Sequence, residues 1–166
     1  MKLNLGCGPI YMPGYINIDN QSQWNCKVDR EEDVFNMDWD ENTCEEIVVS
    51  HLAMYIMGGA DTEYKPNQMR ILVNRWFGWL KKGGKLVMET TDIRKVAQLL
   101  LNTTNPDILN EEMKAIFGWE NTYGHKWSWS PELLTPIFQE AGFETVELGD
   151  SVFHPNPKNF IIVGTK

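Results

Sequence analysis

The chain of 166 residues lacks several features that would place it in a specialised class. No apolar stretch approaches the ~20 residues that span a bilayer. Met1-Lys2-Leu3 runs straight into a strand pattern, so no signal peptide, no membrane partner and a soluble, cytoplasmic protein are expected. Cysteine is sparse: Cys7, Cys26 and Cys44 are odd in number, widely spaced and form no C-x-x-C pair. Neither a disulfide framework nor a zinc site follows from such spacing, so no metal is expected and a reducing compartment fits. Basic charge is outweighed, with a net charge of −8. Non-specific nucleic-acid binding rests on neutralising phosphates with Lys and Arg, so no nucleic-acid partner is expected. Repeats, low-complexity tracts and linkers are absent, and residues 1–166 read as a single domain, too short for a separate substrate domain.

The first twenty residues lack two things as well. Lys2-Leu-Asn-Leu-Gly6-Cys7-Gly8-Pro9 is an apolar strand breaking on two glycines, and Ile16-Asn-Ile-Asp19-Asn20 is a second strand ending on an acid. Glycines let the backbone approach a ligand, and a carboxylate at the next strand tip can take both ribose hydroxyls, so an adenosine-type ligand is expected. A dinucleotide also needs a third glycine and a helix N-terminus for its pyrophosphate. Here Tyr11 stands at the third-glycine position, and Pro9 and Pro13-Gly14 leave no room for a helix. A ribose acid without a phosphate cradle suits S-adenosylmethionine, which carries a sulfonium and an amino acid beyond its ribose.

Five segments extend this reading over nearly the whole chain: Leu3-Asn-Leu-Gly-Cys-Gly8, Asp33 to Ile47, Ser50-His51, Leu80-Lys-Lys-Gly-Gly-Lys-Leu86 and Glu140-Ala-Gly-Phe143. In order and spacing they resemble the class I S-adenosylmethionine-dependent methyltransferases, most of all a compact branch with shortened N-terminal helices. The resemblance implies an α/β, Rossmann-like three-layer sandwich, with a mostly parallel sheet ending in an antiparallel C-terminal hairpin strand. It implies S-adenosylmethionine as cofactor and methyl transfer to a small-molecule acceptor, such as a sugar or another metabolite.

Strands are expected near Lys2–Leu5, Tyr15–Ile18, Cys26–Asp29, Glu46–Ser50 and Lys85–Glu89. Gly6 and Asp19 are 13 positions apart and Asp19 and Asp33 are 14 apart, so the first two crossover helices must be vestigial or missing. Asn67–Leu80 is the clearest helix, with Met69, Leu72, Val73, Trp76 and Leu80 at helical spacing and Gly83-Gly84 as its stop. Asp92 caps a helix to about Leu101, and Asn105-Pro106 opens another that ends at Gly118. These helices and the loop after them make residues 91–129 an insertion on the expected acceptor side. Ser130-Pro131 opens the last helix, which Pro136 must kink or restart at Thr135. Phe143–Leu148 and Phe160–Gly164 then close the sheet. A sheet short of helices leaves apolar faces to cover, by aromatic loops or by a second subunit, and a homodimer is expected. The tryptophans, Trp119, Trp127 and Trp129 among them, either plug those faces or form an aromatic acceptor wall.

Gly6, Cys7, Gly8, Asp19 and Asn20 are the candidate contacts to the donor's nucleoside. Where the family usually carries an acid the chain has Asn4, whose amide oxygen would take the donor's amino group. Asp33 and Val34 fall on the family's adenine-contacting pair, with Trp39 and Glu45 on its later aromatic and acid; Asp38 is a competing acid. Ser50-His51 flanks the donor's methionine portion, His51 serving either as a structural histidine or as a base. Many relatives place a Glu-His pair shortly afterwards; here Met54-Tyr55 stands there. His125, in Tyr123-Gly-His-Lys-Trp127, is the candidate catalytic residue or an exposed loop histidine, and His154-Pro155 is a weaker candidate or a turn element. A non-catalytic S-adenosylmethionine-binding module and, less favoured, a nicotinamide-dependent oxidoreductase are the competing functions.

Overall fold

A computed structural model describes residues 1–20, 25–58, 67–118 and 124–166. The seven strands are β1 (Lys2–Leu5), β2 (Ile16–Asp19), β3 (Arg30–Glu31), β4 (Cys44–Ser50), β5 (Leu80–Thr91), β6 (Thr145–Asp150) and β7 (Asn159–Thr165). They form one sheet in the order β3-β2-β1-β4-β5-β7-β6. Strands β1 to β5 run parallel, and β7 lies antiparallel between β5 and β6. Four helices are described: α1 (Gln68–Trp79), α2 (Ile93–Asn102), α3 (Pro106–Phe117) and α4 (Pro131–Ala141). All four follow β4, so among the described residues the first two crossovers carry no helix.

The helices form where apolar spacing and capping chemistry agree. The α1 stripe Met69, Leu72, Val73 and Trp76, continued by Leu80, is fully buried, and each such side chain stabilises by about 1.5–3 kcal/mol. Asn67, Asp92 and Asn105 each accept a backbone N–H from the first turn of α1, α2 and α3. The core joins this stripe to Leu134, Ile137 and Phe138 of α4 and to Leu3, Ile47, Leu86 and Ile162 of the sheet. Trp76, Trp79 and Trp129 are buried in it and Trp127 packs against it, which fits plugging; Trp119 lies outside the described residues.

Two local expectations need correction. The third strand is Arg30–Glu31 rather than Cys26–Asp29, because Asp29 clamps Asn17: the Asp29 N–H donates to the Asn17 carbonyl, and its carboxylate accepts the Asn17 backbone N–H and amide. Gly83-Gly84 does not stop α1. The helix ends at Trp79, Leu80 turns extended, and both glycines lie inside β5. Gly83 there takes φ +76°, and a Cβ on Gly84 would meet the Lys81 carbonyl oxygen at 2.8 Å, so these glycines permit a bulge and a close backbone approach. The last helix has the expected bounds and runs through Pro136, with no restart at Thr135. It begins at Pro131, with the Leu133 and Leu134 N–H groups on the Ser130 carbonyl, and continues to Ala141.

Candidate functional site

The strand ends that point the same way open onto a cavity of about 550 Å³, within the usual size of a small-molecule site at the carboxyl edge of an open α/β sheet. Gly6, Cys7 and Gly8 follow β1 along one wall, and Asp19 and Asn20 end β2 beside them. Asp33, Val34, Phe35 and Met37 come from the β3–β4 connection, Ser50 and His51 from the end of β4, and His125 and Lys126 from the loop before α4. The structure therefore brings together Gly6, Cys7, Gly8, Asp19, Asn20, Asp33, Val34, Ser50, His51 and His125, while Asn4 and the competing acid Asp38 lie outside the lining.

The glycine loop holds its shape without a helix. Gly6 and Gly8 sit at φ +62° and +48°, the left-handed region that glycine enters without steric cost. A Cβ on Gly6 would meet the Leu52 side chain at 2.9 Å. The Gly8 N–H donates to Asp19 Oδ2 at 2.9 Å and the Cys7 N–H to the Ile18 carbonyl at 3.1 Å, pinning the loop to β2. Beneath it, buried Asn4 donates from Nδ2 to the Ile10 carbonyl (2.8 Å) and to Asn17 Oδ1 (2.9 Å). Asn17 in turn accepts the Met12 N–H and donates to the Met12 and Tyr15 carbonyls. Asn4, expected to offer its amide oxygen to the donor, lies outside the cavity lining, and its Nδ2 holds the loop that a helix would otherwise hold. Burial, then the Asp19 carboxylate, pushes the Cys7 thiol up to about 12.

On the opposite wall Asp33 Oδ1 accepts the Phe35 N–H at 2.8 Å, folding the turn that presents Val34 and Phe35 to the cavity. Arg75 of α1 anchors this turn by donating to the Phe35 carbonyl at 2.9 Å. Trp39 stacks under Arg30 and packs against the core, while Glu45 pairs with Lys81 on the surface; neither lines the cavity.

A second polar cluster lies across the cavity. His51 takes φ +54°, an uncommon conformation for a non-glycine residue, with its N–H on the Glu89 carbonyl at 2.9 Å. Its Nε2 accepts from Asn159 Nδ2 at 3.0 Å, and burial, with His154 next, pushes its pKa down to about 4, so the ring is neutral. Glu89 is fully buried. Burial pushes its carboxyl up, but the Phe153, Val152 and His154 N–H groups outweigh that and hold it below the usual range. His154 lines the cavity with its Nδ1 3.1 Å from Ser50 Oγ, and its ring meets that of His51 edge-on at 4.4 Å. His154 is therefore a site residue, not only a turn element. Sequence reading missed Glu89, although an acid inside the apolar run of β5 is the available signal.

His125 Nδ1 lies 3.0 Å from the Ala115 carbonyl, to which it donates, leaving Nε2 as the basic nitrogen. Burial lowers its pKa, against a raising effect of the Ala115 and Ile116 backbone. Its ring stands edge-on to Tyr55 at 5.3 Å, and Tyr55 also lines the cavity. Met54 is buried and its carbonyl accepts the Lys126 and Trp127 N–H groups, tying the His125 loop to the turn after β4.

No family model and no curated protein sequence matches the chain. Solved structures do. An S-adenosylmethionine-dependent methyltransferase from Archaeoglobus fulgidus matches at TM-score 0.62 and 14% identity, over 99% of this chain and 85% of its own. One from Thermotoga maritima matches at 0.65 and 15%, over 99% and 81%, and one from Mesorhizobium loti at 0.64 and 11%, over 99% and 90%. With this strand order and these neighbours, the chain has the class I S-adenosylmethionine-dependent methyltransferase fold.

Proposed function

We propose that the protein transfers a methyl group from S-adenosylmethionine to a small-molecule acceptor. The observation that carries this reading is the Gly6–Gly8 loop hydrogen-bonded to Asp19 at the mouth of a cavity that Asp33, Val34, Ser50 and His51 also line. Asp19, seconded by Asn20, would accept the ribose hydroxyls. Asp33 and the Val34 backbone would meet adenine, with Phe35 and Met37 as apolar walls, and Ser50 and His51 would flank the methionine portion. The cavity offers what the donor needs: glycine backbone and a carboxylate, with no pyrophosphate cradle. The three free cysteines fit a cytoplasmic setting.

Methyl transfer is an in-line displacement at carbon from a sulfonium, and the leaving thioether needs no acid. Holding donor and nucleophile in line supplies up to ~7–11 kcal/mol, and one positioned base adds about 10²–10⁴-fold. His125 Nε2 is our candidate base, with residues 91–129 as the acceptor wall. Met54, which stands where many relatives carry an acid, is buried against the His125 loop, and this favours a second reading, a donor-binding module without turnover.

Titration calorimetry with S-adenosylhomocysteine and with NAD, followed by a product-release assay over a panel of small acceptors, tests both. Binding of S-adenosylhomocysteine with turnover on one acceptor supports the transferase. Binding without turnover across the panel supports the module, and heat from NAD alone overturns the donor assignment.

A further inference from the structure

We propose that His51, Glu89 and His154 form a binding site for a divalent first-row transition metal ion, with Zn²⁺ the best-suited probe. One nitrogen of each histidine and one carboxylate oxygen lie within 4.8 Å of one another. Glu89 Oε1 is 3.4 Å from His154 Nδ1 and 3.7 Å from His51 Nε2. These separations are long for hydrogen bonds, but two ligand atoms each about 2.1 Å from a tetrahedral Zn²⁺ stand about 3.4 Å apart. The donors come from the end of β4, from β5 and from the β6–β7 hairpin, so no local spacing in the sequence announces them.

The surroundings suit the role. Both oxygens of Glu89 are oriented by backbone: Val152 and Phe153 donate to Oε2, and His154 donates to Oε1. Metal-bound carboxylates are commonly fixed by such outer partners. Ser50 Oγ, which donates to Oε1 at 3.4 Å and stands 3.1 Å from His154 Nδ1, would give up both contacts to the metal. Two imidazole nitrogens and one carboxylate oxygen make an N₂O set, the donor type of three-ligand sites that keep a position open. His51 and His154 both line the cavity, so that position would reach the space shared with the acceptor. The Asn159 amide now on His51 Nε2 would give up that bond while keeping its bond to the His154 carbonyl.

The test is metal uptake by the chelator-treated full chain, with Zn²⁺ measured by equilibrium dialysis and Co²⁺ by absorption. The expected result is one tightly bound equivalent and a tetrahedral Co²⁺ spectrum without thiolate charge-transfer bands, which excludes the cysteines. His154→Ala and His51→Ala should each weaken binding by more than about 100-fold. Glu89→Gln is the less clean variant, since Glu89 also holds the hairpin. His154→Ala, half-exposed and bonded through its ring only to Ser50, should keep the thermal unfolding of the parent. Sub-stoichiometric uptake by the parent, or uptake unchanged in both histidine variants, overturns the site. Only the contact with the acceptor rests on the methyltransferase reading, and because uptake is read without donor, failure of S-adenosylhomocysteine to bind leaves the metal result standing.

Discussion

Asp19 serves two partners with one carboxylate: it fixes the Gly8 N–H and, in our reading, receives the ribose. Asp19→Ala should weaken S-adenosylhomocysteine binding by roughly 2–4 kcal/mol, as charge-assisted hydrogen bonds of about 1.5–3 kcal/mol are lost. Calorimetry on the folded variant checks this, and unchanged affinity would move the ribose elsewhere. Cys7 offers a second residue-level test. Burial and the neighbouring carboxylate keep its thiol protonated, so at pH 8 alkylation of Cys7 in the native chain should be far slower than in the unfolded chain, as mass spectrometry of the labelled peptides would show. His125 gives the pH signature. Its lowered pKa keeps Nε2 unprotonated at neutral pH, so turnover should be flat there and fall only as pH drops below about 6.5, the unperturbed value. His125→Ala should remove that acid limb and cut turnover by about 10²–10⁴-fold with donor affinity intact.

At the scale of elements, β7 packs closely under α4 and the Phe143 ring. A Cβ on Gly164 would stand 2.7 Å from ring atoms of Phe138 and Phe143, so Gly164→Ala should cost about 1–3 kcal/mol by overpacking, measurable as a lower midpoint in urea. Elements whose apolar stripe and cap agree were legible in the sequence: α1, α2 and α3 lie within a residue or two of the readings drawn from Asn67, Asp92 and Asn105. The errors arose where a residue type has two uses. Glycines that commonly stop helices serve at Gly83 and Gly84 as a strand bulge, and Asp29 clamps Asn17 instead of extending a ladder. The donor side of the site was readable because its residues sit at strand ends in short local motifs. Glu89 and His154 were not, since a hairpin closing 63 to 65 positions later brings them together. Asn4 misled because an amide at a family ligand position is equally able to replace a missing helix.

For the molecule as a whole, donor binding should appear as stability. A ligand at 100 times its Kd that binds only the folded state adds about 2.7 kcal/mol, which for a chain of this size raises Tm by about 5–10 °C. S-adenosylhomocysteine should do so in a thermal scan and NAD should not; equal shifts from both would refute selectivity for the donor. No helix among the described residues is long and apolar enough to cross a membrane.

The placement of all four helices after β4 also bears on how the chain reaches this state. Strand β1 completes its ladder with β4, where Leu3 faces Ile47, and the described opening residues hold no helix that could form early. Closing such a loop costs entropy before the contact returns any, and parallel pairing across long separations is slow to form. The glycine loop should therefore be laid down late, after α1 and β5 provide a surface for it. A donor analogue, binding only the finished loop, should leave the refolding rate unchanged and lengthen the lifetime of the native chain against protease.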